Sequence, residues 1–462
     1  MMSVTVPRVA RVRILHTSDW HLGRSFHRVG MLTAQAAFVD HLVDVVQSES
    51  VDVVVVAGDV YDRALPSVDV VQLLDDALSR LAATGAHLVL SSGNHDSAVR
   101  LGFDSRLLES ARVHVRADVR RCAEPVVLDD EHGPVAIYAL PYLEPSIAGP
   151  QLAGVASMSH QGVLQAAADA VRADLATRAG GTRSVVAAHA FVVGGLASDS
   201  ERDISVGGVA AVAASVFDGI DYVALGHLHG RQQLRPEVRY SGSPLAYSFS
   251  EHAHVKGSWL VTLDADGLDR VEPVDAPVPR RLALLRGELD TLLQDPGLAG
   301  DESAWCQVTL TDAERPADAM QRLRARFAHT VELRFDPQGA LPSARRAVAE
   351  RVAAGDDVAV CCDFLQHARG RSANDSERAW LEQSVAAVRI ADMEASGVAV
   401  LRARVLAEQR EQTPDDAGPP TEADLPVDDL PVDDLPVDDP AAGHRPADSL
   451  GVQTELAFEV AG

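Results

Sequence analysis

Between residues 14 and 229 the chain carries short apolar runs, each too short for most helices and each stopped by a glycine or a polar cluster. Ile14-Leu15 leads into Asp19-Trp20-His21, and Val53-Val54-Val55-Val56-Ala57 into Gly58-Asp59. Leu88-Val89-Leu90 leads into Gly93-Asn94-His95-Asp96, Val185-Val186-Ala187-Ala188 into His189, and Tyr222-Val223-Ala224-Leu225 into Gly226-His227-Leu228-His229. Runs of Val, Ile, Leu and Ala bounded by turn formers predict buried strands that end in loops. If the strands are parallel, their loops meet in one crevice outside the carboxyl ends, where ligands bind in such sheets.

Beyond this region the pattern changes. Ser258-Trp259-Leu260-Val261-Thr262-Leu263 reads as a last strand before the turn Asp264-Ala265-Asp266-Gly267, and Pro273, Pro277 and Pro279 mark a linker. Residues 280–337 mix the strand-like Trp305–Leu310 with a helix-like Ala317–Phe327, which predicts a small α+β unit. From Pro342 the pattern is helical: Val358, Cys361 and Leu365 share one face with Phe364 beside them. Asn374 before Glu377 reads as a capping box for a second helix whose stripe holds Trp380, Leu381 and Val388. Asp424-Leu425-Pro426-Val427-Asp428 then recurs at 429–433 and 434–438, a proline-bearing acidic repeat expected to be disordered. The boundaries expected are 1–272, 273–341, 342–410 and 411–462.

The chemistry lies in the loops. Asp-x-His and Gly-Asp are each common turn material, so the weight rests on five clusters in order, each after a strand. Imidazole with carboxylate suits borderline divalent ions such as manganese, iron or zinc, and thiolates are missing from the clusters. Two ions about 3.5–4 Å apart need a ligand that bridges them, which a carboxylate does and a neutral imidazole does not. Asp59, after the most hydrophobic run, is the candidate bridge. Asn94 offers an amide oxygen without added charge, and His95 is spared for proton or transition-state work.

The order Asp-x-His, Gly-Asp, Gly-Asn-His, His, Gly-His-x-His resembles the calcineurin-like metallophosphoesterase superfamily. Within it, residues 14–24, 57–63, 198–204 and 240–245 resemble the SbcD family, the nuclease subunits of bacterial SbcCD complexes. The resemblance spans about residues 11 to 385. It implies an α/β fold, a metallophosphoesterase β-sandwich flanked by helices in four αββα layers, with a small α+β capping domain and a C-terminal helical segment. It implies Asp19, His21, Asp59 and His229 around one ion and Asp59, Asn94, His189 and His227 around the other, both Mn²⁺, with His95 a catalytic histidine that is not a ligand. Asp62 is carried over as a second catalytic position. It sits where related archaeal nucleases have a histidine, whose cationic role a carboxylate cannot take. Arg24 and Arg63 follow metal loops and read either as phosphate contacts or as solvated charges. The implied activity is hydrolysis of double-stranded DNA ends and hairpins, by 3'-5' exonuclease and single-strand endonuclease cleavage. It would act in repair, recombination and replication, as a homodimer with an SbcC-like coiled-coil ATPase docked on the helices after residue 342.

Composition qualifies the picture. The formal net charge is −26, of which residues 411–448 account for −11, and that is unusual for a DNA enzyme. Arg100, Arg106, Arg112, Arg116, Arg120 and Arg121 form a basic stretch just after Asp96, with DNA contact and a solvated face as its two readings. Lys256 is the only lysine among 41 basic residues and lies in no nucleotide-binding Gly-rich loop, so ATP hydrolysis would belong to a partner. Four cysteines form no Cys-x-x-Cys pair and no disulfide framework, and neither a signal peptide nor a membrane-spanning stretch is evident. The expected location is cytoplasmic. A metallophosphodiesterase for nucleotides or another small molecule, and a scaffold that keeps the fold without catalysis, are the other readings. The presence of every proposed ligand speaks against the scaffold.

Overall fold

In the computed structural model, residues 11–201, 211–337, 357–369 and 371–388 are described. The acidic repeat, residues 389–410, Asp203 and Ile204 lie outside them. The described residues fall into two units, divided at residue 340.

The first unit begins with fourteen strands: β1 (Arg13–Thr17), β2 (Ser25–Phe26), β3 (Val29–Gly30), β4 (Val53–Ala57), β5 (His87–Ser91), β6 (Val113–Arg116), β7 (Val126–Asp130), β8 (Gly133–Ala139), β9 (Arg183–His189), β10 (Tyr222–Gly226), β11 (Gln232–Gln233), β12 (Val238–Tyr240), β13 (Gly257–Asp264) and β14 (Gly267–Asp275). One sheet runs β14-β13-β1-β4-β5-β6 and the other β11-β12-β10-β9-β8-β7. β1, β4, β5 and β6 are mutually parallel, as are β8, β9, β10 and β12, so the carboxyl ends of each group share an edge.

The valine run of β4 shows why the sheets stack. Val53, Val55 and Ala57 face the inter-sheet core with Ile14, Val89, Ile137, Val185 and Ala224. Val54 and Val56 face the opposite way, into a core with Phe38, Leu42, Leu74 and Leu81 of the helices Leu32–Ser48 and Val68–Ala83. The outer face of the second sheet packs Tyr138, Val186 and Leu225 on Val163, Ala167 and Val171 of helix His160–Leu175. A strand covered on both faces is apolar throughout, which is the pattern written in β4, β9 and β10. The layers are helix, sheet, sheet, helix. The turn at Asp264–Gly267 does not close this body, because the chain returns as β14, paired with β13 as far as Asp275. Pro273, expected in a linker, sits in β14 instead, where an edge strand tolerates the missing donor.

β15 (Leu282–Gly287), β16 (Trp305–Leu310) and β17 (Thr330–Phe335) form a small parallel sheet, with helices Leu289–Gln294 and Ala319–Arg326 in its connections. Its own core holds Leu285, Leu292, Val308, Leu323 and Phe327. An aromatic cluster seats it on the β2–β3 hairpin and the turn at Phe249: Trp305 stacks on Phe26 at 4.9 Å, Phe26 meets Phe249, and His27 lies 3.6 Å from Glu332.

In the second unit, helix Asp357–Arg369 is followed by a helix over 375–388. The capping box is reciprocal: the Asn374 amide donates to Glu377 and the Glu377 amide to Asn374 Oδ1, each at 2.9 Å. Among the described residues no helix is long and apolar enough to cross a membrane.

Candidate metal centre

The five loops predicted from the sequence converge where the carboxyl ends of β1, β4 and β5 face those of β9 and β10. Backbone bonds from Asp19 to Gly58 (3.0 Å), His21 to Asp59 (3.0 Å) and Leu22 to Val60 (2.9 Å) zip the first two loops together. Asp96 ties the third to them, accepting from the amides of Val60, Tyr61 and Gly93. Four of the ten non-glycine residues with positive φ among the described residues are proposed ligands: Asp19 (52°), His21 (45°), Asp59 (50°) and His227 (105°). Such conformations cost about 1–3 kcal/mol each and persist where the surroundings impose them, typically at functional sites.

The side chains form three overlapping groups, one of them His21, Asp59 and His95. Asp19, His21 and His229 bring ligand atoms within 4.8 Å of one another, and so do Asp19, Asp59 and His189. Asp59 Oδ2 lies 3.6 Å from His21 Nε2 and 3.4 Å from His189 Nε2, so one carboxylate oxygen faces both histidines. Asn94 Oδ1 is 2.8 Å from His189 Nε2 and 3.3 Å from His227 Nδ1, and the His227 amide donates to Asp19. Bonds of about 2.0–2.2 Å to a divalent ion at about 90–110° put adjacent ligand atoms roughly 2.8–3.6 Å apart, and these four distances fall in that range.

Hydrogen bonding gives a second test of fit. His189 Nδ1 is 3.0 Å from the Ala57 carbonyl and so carries the ring proton. Its Nε2 then points a lone pair at the oxygens of Asn94 and Asp59. His229 Nδ1 is held by Ser200 Oγ at 2.6 Å, which turns its Nε2 to within 3.0 Å of His21 Nε2. Acceptors facing acceptors in a buried site call for a cation or an added proton. The His189 ring shows the demand: burial pulls its pKa down, yet the charge of Asp59, its hydrogen bond and the charge of Asp19 push it up to about 9. Burial raises Asp59 too, but His189 and His21 overcome that and hold it well below the carboxylate range. Burial lifts Asp19 to about 6 against the pull of His189 and His229. Burial, with His189 close by, drops His227 to about 3. The donor set fits two divalent ions sharing Asp59.

His95 stands at the rim of this cluster. Its amide donates to Asp59 Oδ1 at 2.8 Å and its Nδ1 meets the Asp62 carbonyl at 2.8 Å. In the neutral ring Nε2 is therefore the basic nitrogen. The Asp62 carboxylate lies 3.6 Å from His21 Nδ1 and 4.0 Å from His95 Nδ1, beside both rings, with Arg24 Nε at 3.7 Å. Arg24 spans Tyr247 and the Ser200 carbonyl, while Arg63 is largely exposed. In the basic stretch, Arg116 and Arg121 pair with Glu109, and Arg120 with Asp118. Arg106, Arg120 and Arg121 line a chamber of about 650 Å³ that opens beside Asn94.

Sequence reasoning assigned no role to the groups that hold the ligands. Ser18 Oγ donates to Asp19 at 2.5 Å, Gln35 to the His21 carbonyl at 2.9 Å, and Tyr247 to the Trp20 carbonyl at 2.7 Å. Glu251 and Lys256 lie buried behind His229, and neither sits in a motif that marks it.

Residues 12–231 match the family model described as calcineurin-like phosphoesterase. Residues 278–369 match the SbcD_C model, described as the type 5 capsule protein repressor C-terminal domain. Among solved structures, TT1561 of Thermus thermophilus is 11% identical, with 58% of this chain and 99% of that one covered at a TM-score of 0.33. A dimetal phosphatase from Danio rerio is 14% identical over 58% and 99% (TM-score 0.34). GAP50, the anchor in the inner membrane complex of Plasmodium, is 10% identical over 71% and 98% (TM-score 0.30). The calcineurin-like phosphoesterase match runs from β1 to β10 and takes in all five loops of the centre.

Proposed function

We propose that the chain is an SbcD-like nuclease subunit that hydrolyses phosphodiester bonds of double-stranded DNA ends and hairpins with two Mn²⁺ ions, as a homodimer with an SbcC-type ATPase. The observation that carries this reading is the pairing in one chain of the phosphoesterase domain with an SbcD_C match at residues 278–369. The small sheet at the start of that match is seated through Trp305 on the β2–β3 hairpin, which follows the Asp19–His21 loop. A sheet seated so would guide a polymer toward the centre.

Asp19, His21, Asp59 and His229 would hold one ion, and Asp59, Asn94, His189 and His227 the other. Bound there, the ions supply charge neutralisation at the phosphate and an acidified water. His95 acts beside them: anchored through Nδ1 and its amide, it would offer Nε2 to the developing charge or the leaving oxygen. Asp62 would work through its neighbours, holding His21 and His95 in orientation. A small-molecule phosphodiesterase is the second reading, favoured by the net charge of −26 and by the internal pairing of Arg116, Arg120 and Arg121.

The test is cleavage of linear and hairpin DNA with Mn²⁺, with and without the coiled-coil ATPase and ATP, alongside small diesters and His95→Ala. DNA cleavage that requires Mn²⁺, rises with the partner and is lost in the variant is the expected result. Brisk turnover of small diesters with DNA left intact would transfer the assignment to the second reading.

A further inference from the structure

Behind His229, on the side away from the other ligands, lies a buried polar chain. His229 Nδ1 donates to Ser200 Oγ at 2.6 Å, and Ser200 Oγ donates onward to Glu251 Oε1 at 2.5 Å. Glu251 Oε2 accepts from Lys256 Nζ, which also donates to the His229 carbonyl at 2.8 Å and to Ser243 Oγ at 3.0 Å. Glu201 Oε1 accepts the His229 amide at 2.7 Å. Glu251 is 1% exposed, Lys256 6% and Ser200 7%.

Each link constrains the next. A carboxylate has no proton to give, so Glu251 takes the Ser200 hydroxyl hydrogen; the serine oxygen must then accept from His229 Nδ1. That sets one tautomer and leaves Nε2 as the ligating nitrogen. The ammonium has three donors and meets three acceptors, one of them the backbone of the same histidine, so it locks side chain and main chain together. A planar guanidinium does not converge on three acceptors around one point, which gives a physical reason for lysine here in a chain that otherwise uses arginine.

We propose that Lys256, Glu251 and Ser200 form a positioning relay that presents His229 Nε2 to one of the two ion positions, and so sets the affinity of that position without touching the other. The inference rests on the assignment of His229 as a ligand and is independent of whether DNA is the substrate. Outer partners of ligating histidines are worth about 10–100-fold in metal affinity.

The experiment is Mn²⁺ titration calorimetry on the full chain after chelation. Ser200→Ala breaks the relay without stranding a charge, and Glu251→Gln combined with Lys256→Met removes both charges together. Each is expected to weaken one of the two binding events by about 10–100-fold and leave the second within about twofold, while Ser200→Thr, which keeps the hydroxyl, holds both near the parent affinity. Two events at the parent affinity in Ser200→Ala would overturn the proposal, as would equal weakening of both events with the urea midpoint unchanged. A parent chain that binds two Mn²⁺ but leaves DNA intact would refute the nuclease reading and not this one.

Discussion

Gly93→Ala adds one methyl group at a crowded point of the centre, directly against Asp59. A Cβ built on Gly93 falls 2.1 Å from Asp59 Oδ1 and 2.3 Å from the Asp59 amide nitrogen, whereas real Cβ contacts stay beyond 3.0 Å. Something must yield by about 0.9 Å, and the neighbour is the carboxylate proposed as the bridge, with its own backbone. Asp59 cannot retreat freely, because Oδ1 also accepts the His95 amide and Oδ2 faces His21 and His189. The expected stability cost is that of overpacking, about 1–3 kcal/mol, too small to unfold a typical domain. The functional cost is larger, since a misplacement of about 1 Å costs on the order of a hundredfold in rate. The assay pairs turnover of a small phosphodiester with Mn²⁺ calorimetry. If Asp59 serves both positions, as proposed, both binding events should weaken together, unlike the one-sided loss expected for Ser200→Ala. If Gly93→Ala binds two ions at the parent affinity and keeps turnover within about threefold, Asp59 is not the bridge.

His95→Ala should lower diester and DNA turnover by about two to four orders of magnitude and leave both Mn²⁺ binding events intact; parallel loss of binding would make His95 a ligand instead. Chelation should lower the thermal midpoint, since saturation at a hundredfold over Kd contributes about 2.7 kcal/mol, and an unchanged midpoint would argue against tight sites in the native chain. At the opposite end of the sandwich, Arg183 clasps Asp130 with two bonds of 2.6 and 2.9 Å, both groups buried. Burial raises the Asp130 carboxyl, but Arg183 and the amides of His132 and Val12 outweigh it and hold the pKa below the usual range. Its stabilisation is therefore full above the unfolded carboxylate pKa and disappears as pH falls through the lower folded value. Asp130→Asn should cost about 3–5 kcal/mol at neutral pH and flatten that acid limb in urea titrations; a cost below about 1 kcal/mol would show that the clasp is solvated. Trp305→Ala should loosen the small sheet by about 3–5 kcal/mol and reduce cleavage of DNA more than of small diesters, and equal loss on both would deny it a guiding role.

The parts of this molecule that were legible in the sequence share one property: their signal is local. β4, β9 and β10 announced themselves because strands covered on both faces are largely apolar, β1 and β5 by shorter apolar runs, and the proposed ligands follow at or within a few residues of each strand's end. The turn at Asp264–Gly267 was equally local, but whether the chain leaves the sheet there depends on β13 offering a free edge to β14, which no short window reveals. The arginines after Asp96 illustrate the same limit. As a run they resembled a phosphate-binding surface, yet Glu109, Asp118 and Glu124, interleaved among them, take up Arg116, Arg120 and Arg121 once the loops fold.

Groups that act through other groups were the hardest to see. Ser18, Gln35, Tyr247 and Glu251 each support a ligand or its loop, but a serine or a glutamate in a loop has no periodicity, and its partner can lie more than two hundred residues away, as Ser241 does from Ser18. Composition bears on one such group. A chain that writes arginine for nearly every base has no electrostatic reason to keep a lysine at an exposed site, where either cation serves. It has a geometric reason where three acceptors converge on a buried point, because only the ammonium satisfies all three at once. Lys256 is such a residue: its three acceptors, one of them the His229 carbonyl, come together only in the fold, so its rarity in the composition acquires a meaning there and not in the sequence.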